Sequence, residues 1–394
     1  MKLLTFSTLY PNSERPRHGI FVENRLRQLL GSGKAQSRVV APIPWFPFKH
    51  PRFGYYAACA RVAAVEERHG ISIQHPRYSL LPKFGMSSAP ASLAIASFGT
   101  LKNILKDGYD FDLIDAHYLY PDGVAAVMLG KALSKPVVIT ARGTDINLIP
   151  RYRLPRRMIV WATRRAAGII AVCQALKDAI VMLGIPEDKI TVLRNGVDLD
   201  AFHPIPRDAE REGLGLKKRT LLCVGLLVEL KGHDIAIRAM TKLPKYELMI
   251  IGEGEEEQHL KTLAASLGVT DRVRFLGAVA QQELKRFYSA ADALVLCSSR
   301  EGWANVLLEA MACGTPVVAT KVGGTPEVVA VSEAGVLMQE RSPQALVAAV
   351  HALFANYPDR AATRRYAERF GWEDTTQGQL HLFSTIFNNR NLHR

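Results

Sequence analysis

Short apolar runs alternate along this 394-residue chain with segments whose apolar positions recur every three or four residues. The first pattern predicts buried strands and the second amphipathic helices. In the first half, strands are expected at residues 2–8, 39–43, 112–117, 137–141, 168–172 and 189–193. Helices are expected there at 20–30, from Pro121 onward and at 151–165. In the second half, strands at 220–225, 246–252, 273–276, 293–297 and 317–319 alternate with helices at 235–241, 256–267, 282–290 and 304–313. Two late helices follow at 345–356 and 359–370. Such alternation means an α/β fold, with parallel sheets covered on both faces. Residues 196–218 are rich in Pro, Gly and charge and read as a linker. A first domain of residues 1–195 and a second of 219–371 follow from it, with a tail of 372–394.

Composition narrows the class. With 48% hydrophobic and 22% charged residues, the chain suits a soluble two-domain protein. The five cysteines lie far apart, with no CxxC pair and no clustered histidines, so neither a disulfide framework nor a zinc site is expected. A reducing cytoplasm fits that usage. No stretch reaches the roughly 20 apolar residues of a membrane-spanning helix. Met1-Lys2-Leu3-Leu4 reads as the first strand, because Pro11, Asn12, Glu14 and Arg15 follow too soon for a signal peptide.

Charge changes the picture more. Residues 1–194 hold 27 Lys+Arg against 13 Asp+Glu, whereas residues 195–394 hold 23 against 24, so the whole net charge of +13 comes from the first half. An anionic partner is expected to meet that half. Two stretches stand out within it. Residues 44–56, which include Trp45 and Phe46, are a proline-broken loop dense in rings and cations. It is either a loop tucked under the domain or an interfacial loop on anionic lipid. The apolar residues 80–99, with Lys83, would serve the same purpose. Residues 151–165 form a basic amphipathic helix carrying Arg156, Arg157 and Trp161, with no acidic residue between Asp145 and Asp178 to pair with it. That pattern reads as a membrane-surface element. Nucleic acid would accept the same patch, but no nucleic-acid-binding motif accompanies it.

The densest chemistry lies at Ser298-Ser299-Arg300-Glu301-Gly302-Trp303-Ala304-Asn305-Val306-Leu307-Leu308-Glu309. A buried strand precedes it, and the helix that carries Glu309 is stopped by Gly314 and Pro316. Glu301 then stands at the strand's carboxyl end and Glu309 on the helix, so both carboxylates can face one crevice. Gly323-Gly324-Thr325-Pro326-Glu327 follows as a loop entering a helix. This context resembles the retaining nucleotide-sugar glycosyltransferases of family 4. These have the GT-B architecture, two Rossmann-like doubly wound domains facing a central cleft, and a signature of two glutamates separated by seven residues. The Gly19-Ile20-Phe21-Val22-Glu23 start is similar to bacterial transferases of cell-wall or exopolysaccharide assembly, and Asn195-Gly196-Val197-Asp198 to the family's domain junction.

The resemblance implies a metal-independent hexosyltransferase without a cofactor. It would move a sugar from a nucleotide diphosphate (UDP- or GDP-linked) to a lipid-linked or glycan acceptor, peripherally on the inner face of the cell membrane. Glu301 would lie near the donor sugar, and Glu309 would accept from the ribose hydroxyls. Lys231 would neutralise the diphosphate, and Gly19 would approach it, although a plain turn glycine fits Gly19 equally. Gly225, Gly252, Gly254, Arg300, Gly302, Asn305 and Val306 complete the expected donor site. His117, at a strand end, would lie near the reacting sugar and the acceptor. Arg142 and Asp145, in Arg142-Gly143-Thr144-Asp145, would stand at the cleft, Arg142 where many relatives have His. Leu226 occupies the place where relatives carry an Arg, so Arg300 and Arg142 are the candidates to supply the missing cation. The resembled fold also carries its tail back to the first domain. Two rivals are a nucleotide-sugar epimerase or hydrolase of the same architecture and a non-catalytic nucleotide-sugar or membrane-binding protein.

Overall fold

The computed structural model describes residues 1–80 and 85–392, so Lys83 lies outside the described residues. The chain forms two compact units, Met1–Arg194 with Glu373–Arg394, and Asn195–Trp372.

In the first unit an eight-stranded sheet runs in the order Ile190–Val192, Gly168–Ala171, Val137–Ala141, Leu113–His117, Lys2–Phe6, Gln36–Val40, Ile71–Gln74 and Val65–Arg68. Leu113–His117, Val137–Ala141 and Gly168–Ala171 are buried at every position. Helices cover both faces of such strands, which is why they read as mainly apolar runs, broken only by the buried Asp115, His117 and Thr140. The last two strands of the order escaped the pattern. Val65-Glu66-Glu67-Arg68 is a charged edge strand, antiparallel to its neighbour and never buried, the composition that discourages edge-to-edge pairing. Helix Glu373–Leu392 belongs to this unit and sends Leu380 and Phe383 into the core with Leu3, Leu29, Leu113, Val138 and Ile170.

Residues 85–99 of the apolar stretch 80–99 lie in helix Gly85–Lys106, whose Leu93, Leu101 and Ile104 are core residues, while Ile95 stands 78% exposed. Pro121 opens the following helical run as expected: the backbone is non-helical at Tyr120, and the short turn Leu119–Gly123 continues into helix Val124–Leu133.

The second unit is an all-parallel six-stranded sheet in the order Val273–Phe275, Tyr246–Ile251, Arg219–Val224, Ala293–Leu296, Val317–Thr320 and Gly335–Met338. The expected linker is part of this unit. Its helix Arg207–Gly213 is anchored by Arg207 and Arg211, which reach Asp292 at 2.5 and 3.1 Å, and Arg211 also donates to the Lys218 carbonyl. The charges that suggested a solvated linker are spent on a buried carboxylate.

Strand order reverses once in each sheet, between Lys2–Phe6 and Leu113–His117 in the first and between Arg219–Val224 and Ala293–Leu296 in the second. Loops leaving the carboxyl ends of those paired strands diverge, and open α/β sheets bind ligands in the crevice this leaves.

Candidate active site

At the second unit's reversal, one loop carries Gly225 to Lys231 and the other Ser298 to Gly302. Lys231 closes a tight helical turn, Glu229–Lys231, that ends on Gly232 in the left-handed region with φ +67°. A side chain on Gly232 would meet the Cys297 carbonyl oxygen at 2.3 Å, so glycine lets the two loops touch. Ser299 N then donates to the Leu230 carbonyl at 2.9 Å. The result is an ion pair between Lys231 Nζ and Glu301 Oε1 at 2.6 Å, both side chains only partly exposed. Sequence reasoning had named both residues separately; the fold joins them.

The other glycines of the expected donor site serve loop packing in the same way. A Cβ at Gly252 would fall 1.8 Å from the Gly225 carbonyl oxygen, and one at Gly254 2.2 Å from that of Leu227. Gly302 is buried, and its carbonyl accepts from Gly324 N at 3.1 Å. The following helix, Asn305–Ala312, opens with Asn305 and Val306 partly exposed, and Asn305 Oδ1 accepts from Asn195 at 3.4 Å. Arg300 is partly exposed and its Nε is buried without a hydrogen-bond acceptor among the described residues. Leu226, where a cation was missing, is 65% exposed.

Glu309 is only 9% exposed, and its Oε2 accepts from the Tyr288 hydroxyl at 2.8 Å. Burial pushes the Glu309 carboxyl above its usual range, and the hydrogen bond from Tyr288 opposes that rise. Tyr288→Phe should therefore lower stability by about 1 kcal/mol and raise the Glu309 pKa further. Urea denaturation with a pH titration would measure both; an unchanged midpoint would show the bond to be idle.

Three residues that sequence reasoning missed hold these loops. His233 Nε2 meets the Leu226 carbonyl at 3.1 Å, and burial lowers its pKa to about 4, so the ring donates as a neutral imidazole. Arg341 donates from Nε to the Cys297 carbonyl at 2.8 Å. Tyr288 and Arg341 come from elements far from the motif, and no local spacing signals them. His233 directly follows Gly232 and was within reach.

In the first unit, His117 stands at the carboxyl end of its strand as expected and is 1% exposed. Arg142 Nη2 lies 2.6 Å from its Nδ1 and Asp115 Oδ2 lies 3.3 Å from its Nε2. A guanidinium can only donate, so Nδ1 accepts and Nε2 carries the proton towards Asp115. Burial lowers the His117 pKa, which keeps the ring neutral. Arg142 is partly exposed. Asp145 is fully buried and accepts from Leu119 N at 2.8 Å, Gly143 N at 2.7 Å and Arg142 N at 3.1 Å. It staples two strand-exit loops through these three amides. Gly19, with φ +70°, caps helix Ile20–Gly31, and a Cβ there would lie 2.3 Å from the Leu9 carbonyl. A turn glycine in close backbone contact accounts for it.

The aromatic loop is not tucked away. Trp45 is 56% exposed, Phe48, Tyr55 and Tyr56 are exposed, and Phe46 packs its ring against Phe48, Phe53 and Tyr56 at 5.4 to 5.9 Å. Helix Arg153–Arg165 spends its apolar face, Pro155, Ile159 and Ala162, on the core; Arg156 and Arg157 face out, and Trp161, half-buried, lies under Arg165. That helix offers a surface its cations together with the exposed Leu154 and the edge of Trp161. Among the described residues no helix is long and apolar enough to cross a membrane, and no group of three His, Cys, Asp or Glu could hold a metal ion.

Comparison with known proteins agrees with this geometry. Residues 205–370 match the family described as glycosyl transferases group 1, and residues 63–201 match glycosyltransferase family 4. A D-inositol 3-phosphate glycosyltransferase of Geodermatophilus obscurus is 30% identical over 349 residues, 81% of this chain and 77% of that one. A teichuronic acid biosynthesis glycosyltransferase of Bacillus subtilis is 29% identical over 365 residues, 89% and 88% of the two chains. Among solved structures, sucrose-phosphate synthase from Thermosynechococcus elongatus superposes with a TM-score of 0.79 at 19% identity, covering 98% of this chain and 99% of that one. HepE of Anabaena, in complex with UDP, gives 0.74 at 21% identity, covering 98% and 100%. Two parallel-sheet units, a paired Lys231 and Glu301 at the strand-order reversal, and these matches together establish that the chain belongs to the family 4 glycosyltransferases of the GT-B fold.

Proposed function

We propose that this transferase moves a hexose, with retention of configuration, from a UDP- or GDP-linked donor to a lipid-linked or polysaccharide acceptor of the cell envelope. The observation that carries the proposal is the Lys231–Glu301 pair at the second unit's reversal. An ammonium held there can swing from Glu301 to the diphosphate as the glycosidic C–O bond to phosphate breaks. Glu301, left beside the sugar, favours the positive character that grows on the anomeric carbon. The acceptor oxygen forms the new C–O bond, and its proton leaves for the departing diphosphate or a group beside it. In this reading Lys231 and the amides opening helix Asn305–Ala312 neutralise the leaving group without a metal ion or cofactor. The UDP and UDP-glucose complexes of Anabaena HepE support a nucleotide-sugar donor, and the Bacillus subtilis relative supports an envelope polysaccharide. The basic first unit would bind the acceptor.

A thermal-shift screen of nucleotide sugars tests the donor, because binding to the native state raises Tm. Labelled donor, incubated with and without a lipid-linked glycan and with EDTA, tests the reaction. Transfer that needs the acceptor and survives EDTA is expected; sugar freed or epimerised without acceptor would make the protein a hydrolase or epimerase.

We also propose peripheral attachment to the inner face of the cell membrane, through the exposed ring of Trp45, the partly exposed ring of Phe46 and the outward arginines. Each cation near an anionic surface contributes about 1 kcal/mol, screened by salt. Co-sedimentation with phosphatidylserine vesicles should fall steeply with salt and on changing Arg156 and Arg157 to Glu. Indifference to both would remove the membrane from the proposal.

A further inference from the structure

Beneath the loop that follows the first strand lies a cavity of about 170 Å³. Thr8, Asn12, Arg15 and His18 line one side; Ile43, Tyr55 and Tyr78 are among those lining the other. Arg15 makes no ion pair among the described residues, and its guanidinium lies 4.9 Å over the Tyr55 ring. Stacking on a ring leaves the N–H edge of a guanidinium free to donate. Neighbouring cations are committed elsewhere: Arg61 to Glu14 at 2.5 Å, Arg68 to Glu23 at 2.8 Å, and Arg77 to the carbonyls of Cys59 and Val62. His18 is no substitute, since its Nε2 bonds the Thr8 carbonyl and burial holds its pKa to about 4. The cavity thus presents one available cation against an apolar and aromatic wall, and the exposed rings of Tyr55, Tyr56, Trp45 and Phe48 belong to the same loop and helix. A water takes about 30 Å³ of liquid, so the space suits a phosphate with a few carbons better than a glycan chain.

We infer that this cavity binds the phosphate of a lipid-linked acceptor, with Arg15 on the phosphate oxygens and the first carbons of the lipid along Tyr55. The inference rests on the acceptor half of the proposed function and selects the lipid class within it. The apolar wall and exposed rings argue for a lipid over a soluble phosphate, which would leave them unused.

The test uses the full chain with neutral detergent micelles carrying a polyprenyl phosphate, binding being followed by tryptophan fluorescence. Arg15→Met keeps the stem over Tyr55 without the charge and should weaken binding about tenfold or more, whereas Arg15→Lys should retain most of it. A Tm close to wild type shows that the fold is kept. Inorganic phosphate and a soluble sugar phosphate should bind at least about tenfold more weakly than the lipid. Equal binding by Arg15→Met overturns the site, and equal binding of the soluble phosphates overturns the lipid assignment. Thermal shift by nucleotide sugars should be the same for wild type and Arg15→Met. Its absence from both would defeat the transferase reading and leave the lipid result standing by itself.

Discussion

Replacing Lys231 with Ala is expected to reduce sugar transfer by about a hundredfold to a thousandfold while leaving the fold intact, the usual loss when one preorganised donor to a developing anion is removed. The side chain is partly exposed and its ion pair with Glu301, 2.6 Å long, is the interaction the substitution deletes. A partly exposed pair contributes little to stability, about 1 kcal/mol or less. The diphosphate has more at stake. Without the ammonium, the Glu301 carboxylate would face an incoming dianion unscreened, so ground-state binding and transition-state stabilisation both suffer. Glu301→Gln should lose a comparable factor by removing the negative charge beside the anomeric carbon. If the two side chains act as one unit, the double variant will be little worse than the poorer single variant. Steady-state kinetics on all three proteins decide the matter. Transfer by Lys231→Ala within threefold of wild type would show that the leaving group is neutralised elsewhere, with Arg300 the next residue to replace.

Most of both sheets is legible in the amino-acid order because a parallel strand buried on both faces is largely apolar, as in Val137–Ala141 and Ala293–Leu296, while the edge strand Gly335–Met338 was not expected. Legibility ends where burial is partial. Val65–Arg68 has three charged residues of four because it is an edge, and helix Gly85–Lys106 hides its period under alanines and serines that fit either face. In the site, Lys231 and Glu301 were readable because both lie at strand exits beside glycines, and a loop that must touch another loop needs glycine at the contact. The inward or outward turn of a side chain at or beyond a strand's end was not readable. His117, Asp145 and Glu309 all sit at positions where a functional group could face a ligand, and all three are buried against partners from other elements, Arg142, the Leu119 amide and Tyr288. Those partners lie 25, 26 and 21 residues away, beyond any local pattern. The same long reach explains why residues 196–218 read as a linker, since the carboxylate that holds Arg207 and Arg211, Asp292, comes some eighty residues later.

Asp145→Ala is expected to be the most destabilising single substitution among the site residues. Its carboxylate lies fully buried and serves the amides of Leu119, Arg142 and Gly143 at 2.7 to 3.2 Å. Alanine leaves those N–H groups facing a void. Each unsatisfied buried donor costs about 1–3 kcal/mol, and partial rearrangement of the loops recovers some of it, so a net loss of about 4 kcal/mol is expected. Against a typical total of about 5–15 kcal/mol for a domain, that is enough to unfold a marginal unit. Asp145→Asn keeps one acceptor oxygen and turns an NH₂ towards the remaining donors, so it should fall between wild type and alanine. Urea denaturation followed by circular dichroism gives the midpoints, and hydrogen exchange at the Leu119 and Gly143 amides locates the damage. Because Arg142 is carried on the loop that Asp145 ties down, its hold on His117 should loosen as well. If Asp145→Ala unfolds at the wild-type midpoint with both amides still protected, the carboxylate is not the staple its geometry describes, and its place in the active site must be reconsidered.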